Sequence, residues 1–208
     1  MDPEIDRAVL KTAYFYITHL DPGSASDIQD INSFSIDLDT GAGLLNYIQK
    51  RACKDELSHE MRTYLVRDTL TNECAGYFSL KAGLISINER KRDRMGDTED
   101  SGKEFDTLPG IELANFAVNS AFIKKHPSLK GVGKYFFGKF ITPLIEDISK
   151  NVGVKMVYIF ALPYKKVINC YKSYGFNSLS EEAENNLHRR IKPSYDKNCK
   201  FMYMLIGS

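Results

Sequence analysis

The segment Val154–Leu162 restricts the fold of this chain more than any other. It reads VKMVYIFAL, and every residue except Lys155 is apolar. A nearly continuous apolar run of this length is typical of a strand that is covered on both faces. The segments Lys134–Lys150 and Pro163–Gly175 on either side have the spacing of amphipathic helices. A buried strand between two helices predicts an α/β fold.

The remaining segments complete a single domain. A run of β-branched and aromatic residues at Ala13–Thr18 predicts a strand. Two alternating runs, Arg62–Leu70 and Cys74–Ala82, predict a hairpin because only a short polar turn separates them. Further strands are predicted at Ile111–Val118 and Lys200–Ile206, and helices at Ser26–Ile36 and Gly41–Glu60. The order predicts one mixed α/β domain over residues 1–208.

Composition changes abruptly between Glu89 and Thr107. Twelve of these nineteen residues are charged, so the stretch has too little apolar surface to offset the entropy lost on ordering. We therefore predict a mobile charged insertion at about residues 89–107, within the domain and not at its boundary.

Charge and cysteine content exclude several classes of protein. The 28 lysines and arginines nearly match the 27 aspartates and glutamates, giving a net charge of +1, which argues against a nucleic-acid binder that acts through bulk charge. The four cysteines and four histidines are scattered without CxxC or HExxH spacing, so no metal is expected. The N-terminal decapeptide lacks a signal-peptide pattern and no apolar stretch is long enough to span a bilayer, so we expect a cytoplasmic protein without membrane contact.

The segment Ser128–Lys134 reads SLKGVGK and lies between a predicted strand and a predicted helix. Glycines at a helix start let the backbone approach an anion, and the free N–H groups of the first helical turn can bind it. Lys130 and Lys134 add positive charge. Alone, this pattern is also compatible with ordinary turn glycines.

A second motif follows one strand later, where Tyr171 stands four residues before Gly175-Phe176. This YxxxGF pattern resembles the GNAT superfamily of N-acetyltransferases. The segments FAV at Phe116–Val118, GVG at Gly131–Gly133 and YKSYGF occur in the order that the family uses. The resemblance covers Tyr14 to Ile206. One departure is Ser128, which stands where the family usually has Gln or Arg.

The resemblance implies a fold, a co-substrate and a mechanism. The fold would be a central mixed, mostly antiparallel sheet, splayed after its fourth strand and flanked by helices, with acetyl-CoA in the opening. By resemblance Tyr171 is the proton donor to the departing thiolate, and Glu112 is the candidate base that takes the proton of the amine. The cofactor-binding residues implied are Phe116, Ala117, Val118, Ser128, Leu129, Lys130, Gly131, Val132, Gly133, Lys134 and Asn169.

Each catalytic residue also has a structural interpretation. Tyr171 could be a core tyrosine on the buried face of its helix, and Glu112 could pair with a surface cation. Asn115 and Asn119 are weaker candidates for positioning water. Cys170 is a poor nucleophile candidate because no histidine or carboxylate is placed beside it by motif.

The sequence does not identify the molecule that accepts the acetyl group. The expected reaction is transfer to a primary amine by direct attack. LPGIELANFAVN also resembles the fourth strand of toxin-type acetyltransferases that modify aminoacyl-tRNA, which would bring a nucleic-acid partner. A third alternative is a non-catalytic acyl-CoA sensor of the same fold. Whether the chain forms a homodimer or meets an antitoxin is also open.

Overall fold

The computed structural model describes residues 7–37, 41–89, 105–189, 191 and 198–207. Its elements in chain order are β1 (Ala8–Lys11), β2 (Phe15–His19), α1 (Ala25–Ser33), α2 (Ala42–Lys50), α3 (Ala52–Leu57), β3 (Arg62–Asp68), β4 (Cys74–Glu89), β5 (Phe105–Val118), α4 (Ser120–Lys125), a 3-10 turn (Pro127–Leu129), α5 (Val132–Phe136), a π-helical turn (Phe137–Ile141), α6 (Thr142–Asn151), β6 (Met156–Ala161), α7 (Lys165–Ser173), β7 (Asn177–Ser178), α8 (Glu181–His188) and β8 (Lys200–Leu205).

The strands of the described residues form a single sheet in the order β1-β2-β3-β4-β5-β6-β8-β7. The pairs β1–β2, β2–β3, β3–β4, β6–β8 and β7–β8 are antiparallel. The expected mixed α/β class, with a mostly antiparallel sheet flanked by helices, is confirmed. The chain divides into two compact units, the first formed by Met1–Lys81 and Glu112–Asn151, the second by Ala82–Ile111 and Val152–Ser208.

In the first unit, helices α1 to α3 cover one face of the sheet. Their apolar side chains pack with Leu65 of β3 and Tyr77 of β4 in one cluster, which includes Ile31, Phe34, Tyr47, Ile48 and Ala52. A buried ion pair ties α1 to the sheet, since Arg67 donates from Nη2 to Oδ1 of Asp27 at 2.8 Å. Both side chains are almost wholly buried, so the pair needs the further hydrogen bonds that it receives. Arg7 supplies one of them to the second oxygen of Asp27.

In the second unit the core lies around β6. All six residues of β6 are buried, which confirms the expected strand covered on both faces. Tyr158 and Phe160 of β6 pack against Phe201 of β8, with ring centroids 5.6 Å apart in each pair. Leu187 of α8 belongs to the same cluster.

Several elements differ from the sequence prediction. The predicted helix over Gly41–Glu60 is two helices, which meet at Arg51, where φ widens to −119°. The strands predicted at Cys74–Ala82 and Ile111–Val118 are longer, extending to Glu89 and from Phe105. The middle of the predicted charged insertion, residues 90–104, lies outside the described residues, while its ends belong to β4 and β5. Helix α8 has no counterpart among the predicted elements.

A π-helical turn accommodates Pro143 inside the long helix that α5, this turn and α6 form together. Proline has no N–H to donate to the carbonyl four residues earlier, and its ring clashes with that carbonyl. The turn Phe137–Ile141 precedes it, and the N–H of Thr142 donates to the carbonyl of Phe137, five residues back. The wider turn lets the helix continue to Asn151.

Within the described residues, no helix has both the length and the apolar character needed to cross a bilayer. In the same residues, no three His, Cys, Asp or Glu side chains are grouped so that they could hold a metal ion.

Candidate functional site

The glycine loop before α5 has a left-handed and open backbone at Gly131. Gly131 is the N-cap residue of α5 and has φ +85°, in the left-handed region where glycine carries no steric penalty. A Cβ built at Gly131 would meet nothing within 4 Å, so the backbone here is open. The Lys134 N–H donates to the Gly131 carbonyl at 3.1 Å and closes the first turn.

Val132 and Gly133 lie in that first turn, where N–H groups have no intrahelical acceptor. Among the described residues, neither N–H group has a hydrogen-bond partner. Helix N-termini carry a partial positive charge that favours anions, and Lys130 and Lys134 are exposed on either side. Ser128 is exposed as well. The loop can therefore offer two N–H donors and two ammonium groups to a phosphate.

The position of α5 depends on a close contact with β4. The ring of Phe136 is fully buried and lies over Gly76, where a Cβ would come within 3.0 Å of the Phe136 ring and 2.9 Å of the Ala117 carbonyl oxygen. Phe15 of β2 meets the same ring edge to face at 5.0 Å. Only a residue without a side chain fits here, so Gly76 fixes how closely α5 and its loop approach the sheet.

Strand β5 carries the next group of predicted residues. Side chains alternate between the faces of a strand, so Glu112, Phe116 and Val118 share one face while Ala117 joins the cluster of α1 to α3 on the other. Glu112, Phe116 and Val118 are half-buried. A half-buried carboxylate is still accessible from outside, and a general base must come within hydrogen-bond reach of the proton that it takes.

Asn119, which follows β5, has a structural role. Its side-chain oxygen accepts from the Ala121 N–H at 3.1 Å and caps α4. The same oxygen accepts from the Ser35 N–H at 3.3 Å, and the amide nitrogen donates to the Cys74 carbonyl at 2.8 Å. These bonds occupy the Asn119 side chain, which leaves it poorly suited to positioning a water molecule.

In the second unit, Tyr171 belongs to the C-terminal cap of α7. Gly175 has φ +98°. The Phe176 N–H donates to the Tyr171 carbonyl at 3.1 Å, and the Gly175 N–H donates to the Lys172 carbonyl at 3.0 Å. This is the Schellman pattern, which is usually accompanied by an apolar contact between the residues at the positions of Phe176 and Tyr171. The YxxxGF motif is thus also the signature of this helix end.

The phenol of Tyr171 is half-buried and packed between two rings. Its ring meets Tyr174 at 5.9 Å and Phe176 at 5.7 Å, both edge to face. Burial raises the pKa of Tyr171 well above its ordinary value, and the neighbouring Cys170 adds to this rise. Tyr171 therefore holds its proton throughout the neutral range. Asn169 lies on the exposed side of α7.

The predicted site residues are thus distributed over both units. The first unit holds Glu112, Phe116–Val118 and Ser128–Lys134, and the second holds Asn169 and Tyr171. Sequence reasoning missed Gly76, although an isolated glycine inside a strand pattern is a signal of close backbone approach.

A separate cavity of about 450 Å³ lies in the first unit, lined by Arg7, His19, Leu20, Asp21, Pro22, Glu56, Leu57 and Arg62. Three of its polar side chains, His19, Glu56 and Arg62, are engaged with one another. His19 Nε2 lies 2.9 Å from Oε1 of the buried Glu56, and Arg62 also binds Glu56. None of the predicted site residues lines this cavity.

The fold is similar to that of solved bacterial toxins. A Tyr-to-Phe mutant of the toxin AtaT, bound to the C-terminus of the antitoxin AtaR and acetyl-CoA, has 16% sequence identity, with 92% of each chain covered and a TM-score of 0.60. A Tyr-to-Phe mutant of KacT has 14% identity, with 92% of this chain and 95% of that chain covered and a TM-score of 0.61. AtaT complexed with acetyl-methionyl-tRNAfMet has 16% identity, with coverages of 92% and 94% and a TM-score of 0.60.

At these identities the likeness establishes the fold, which is the fold expected from the YxxxGF and GVG motifs. No protein-family model matches the chain.

Proposed function

We propose that this protein is an acetyl-CoA-dependent N-acetyltransferase that transfers the acetyl group directly to a primary amine. The observation that carries the proposal is the loop before α5, where Gly131 adopts φ +85° and the N–H groups of Val132 and Gly133 have no acceptor among the described residues. A pyrophosphate is the part of acetyl-CoA that such a loop would bind. The likeness to AtaT solved with acetyl-CoA supports the same cofactor.

In the proposed complex the loop Ser128–Lys134 holds the pyrophosphate, and the backbone of Phe116–Val118 pairs with the pantetheine arm. Asn169 of α7 adds a polar contact. Ser128 has a shorter side chain than the Gln or Arg usual at its position, so the backbone N–H groups, Lys130 and Lys134 have the larger share in binding the anion.

The proposed reaction is a single transfer. The neutral amine attacks the thioester carbonyl carbon, a C–N bond forms, and the C–S bond breaks as the electron pair leaves with sulfur. Glu112 takes the proton that the amine loses, directly or through water. Tyr171 gives a proton to the departing thiolate, and the raised pKa of Tyr171 keeps that proton available at neutral pH.

The α-amino group of an aminoacyl-tRNA is the acceptor that a specific observation favours. AtaT, whose fold this chain shares, is solved in complex with acetyl-methionyl-tRNAfMet, a molecule that carries an acetylated amino group. The segment LPGIELANFAVN of β5 also resembles the fourth strand of toxin-type acetyltransferases. We therefore propose aminoacyl-tRNA as the acceptor in preference to free polyamines, antibiotics or protein N-termini.

The experiment is CoA release measured with the purified protein, acetyl-CoA and a panel of acceptors. The panel contains a charged tRNA, the matching free amino acid, a short peptide and a polyamine. Transfer to the charged tRNA without transfer to the free amino acid supports the tRNA acceptor. Turnover with another member of the panel and none with the charged tRNA supports the acetyltransferase and excludes aminoacyl-tRNA as the acceptor. Tight acetyl-CoA binding without CoA release from any acceptor would overturn the enzymatic proposal in favour of a sensor.

A further inference from the structure

Glu73 links the hairpin of β3 and β4 to the segment that leads into the glycine loop. Glu73 is the last residue of the turn before β4. Its Oε1 accepts from Lys125 Nζ, and its Oε2 lies 3.1 Å from His126 Nε2. These hydrogen bonds lower the pKa of the Glu73 carboxyl, so the group is charged at neutral pH and binds both partners as a carboxylate.

His126 is fixed by its backbone and its ring as well. Its N–H donates to the Phe122 carbonyl at 3.0 Å, and its own carbonyl accepts from the Leu129 N–H at 3.0 Å, which closes the 3-10 turn. The imidazole packs on the Phe122 ring with centroids 4.4 Å apart. His126 is therefore the last firmly held residue before the chain enters the loop.

The loop beyond His126 has little support of its own. Pro127, Ser128, Lys130 and Gly131 are exposed. Among the described residues, no hydrogen bond involves the side chains of Ser128 or Lys130. The loop conformation therefore depends on its two ends, which are His126 on one side and the first turn of α5 on the other.

We propose that Glu73 is a positioning residue that, through His126, holds the Ser128–Lys134 loop ready to receive an anion. This inference rests on the proposed function, because acetyl-CoA is the anion. A loop that is already in its bound conformation loses less entropy on binding. The direction in which acetyl-CoA affinity changes when Glu73 is neutralised separates a positioning role from a direct effect of its charge. Glu73 is negative, so its simple electrostatic effect would weaken binding of a pyrophosphate, whereas positioning strengthens it.

The test compares acetyl-CoA affinity by calorimetry in Glu73→Gln, His126→Ala and the double variant. The matched control is Asp37→Asn, which also removes one negative charge from an ion pair with a lysine of α4, here Lys124 at 2.8 Å. Exposed ion pairs are weak, so we expect each single variant to raise the Kd for acetyl-CoA about two- to fivefold. The Kd of the double variant should be no higher than that of the single variant that binds acetyl-CoA more weakly. Asp37→Asn should bind acetyl-CoA as the unsubstituted protein does.

With an acceptor that supports turnover, the KM for acetyl-CoA should rise while kcat at saturating acetyl-CoA stays unchanged. Unchanged or tighter binding by Glu73→Gln would overturn the inference and leave the proposed function standing. Additive effects of the two substitutions would also overturn it, because they would show that the residues act separately. If the unsubstituted protein binds no acetyl-CoA, the proposed function and this inference fail together.

Discussion

The ring of Phe176 meets the ring of Tyr171 edge to face, with centroids 5.7 Å apart, while the Phe176 N–H donates to the Tyr171 carbonyl. The tyrosine proposed as the proton donor is therefore also part of a helix end. The ring and backbone of Tyr171 serve the cap, and only the phenolic hydroxyl is left for chemistry. A substitution that removes the hydroxyl alone separates the two roles.

Tyr171→Phe should lower kcat by about 10²–10⁴-fold, the usual range for general acid catalysis. Acetyl-CoA affinity and thermal stability should change little because the ring and the cap remain. The measurement is kcat, acetyl-CoA Kd and thermal midpoint, with Tyr164→Phe at the start of the same helix as the control. Full activity would assign Tyr171 to packing alone. Loss of stability together with a proportionate loss of activity would do the same.

The contribution of Tyr171 should not depend on pH in the neutral and mildly alkaline range. Tyr171 acts while protonated, and its pKa is raised above the ordinary value of about 10. Tyr171 therefore keeps its proton at every pH below its raised pKa and loses the proton only above that pKa. We expect the ratio of kcat between the unsubstituted protein and Tyr171→Phe to be the same at pH 7 and pH 9. A ratio that falls toward one over this interval would mean that another group is the donor or that Tyr171 is not buried during turnover.

Gly133→Asp should weaken acetyl-CoA binding by about tenfold or more. The substitution places a carboxylate in the first turn of α5, and two like charges a few ångströms apart repel by several kcal/mol near a protein surface. Gly138→Asp is the control, because Gly138 is exposed in the π-helical turn that follows α5, and a Cβ there would meet nothing within 4 Å. Calorimetry showing equal Kd values for the two variants would remove the pyrophosphate from this loop.

Gly76→Ala should lower the free energy of unfolding by about 1–3 kcal/mol, as overpacking does in closely packed cores. Its Cβ would lie 2.9 Å from the Ala117 carbonyl oxygen and 3.0 Å from the Phe136 ring, so the strands or α5 must move. Since α5 carries the loop, acetyl-CoA affinity should fall as well. Gly138→Ala, whose Cβ meets no neighbour within 4 Å, should leave acetyl-CoA affinity unchanged and should not lower the free energy of unfolding. Urea unfolding and calorimetry measure the two effects. If Gly76→Ala changes neither the free energy of unfolding nor the affinity for acetyl-CoA, the position of α5 does not depend on this contact.

Local patterns predict most of the regular elements, and contacts between distant residues account for what they miss. The cap of α8 has a local signal, since Ser180 accepts from the Ala183 N–H and acidic residues fill the first turn. The break at Arg51 has none, because its neighbours continue the helical spacing. The bond between Glu73 and His126 joins residues 53 positions apart, and no local pattern reveals such a pair. The YxxxGF motif predicts a catalytic tyrosine by resemblance, and its glycine predicts the end of the helix, but the ring contact between Tyr171 and Phe176 is seen only in the structure.

The π-helical turn before Pro143 also affects how this chain must be aligned with related sequences. Buried residues of the long helix recur every four positions, at Val132, Phe136, Phe140 and Leu144. In an uninterrupted α-helix each such step rotates the side chain by about 40° around the axis, and the wider turn offsets that drift. A π turn is one extra residue inside an α-helix. A related chain that lacks it therefore needs a one-residue gap between the glycine loop and Pro143, and an ungapped alignment would displace either the loop or the proline by one position.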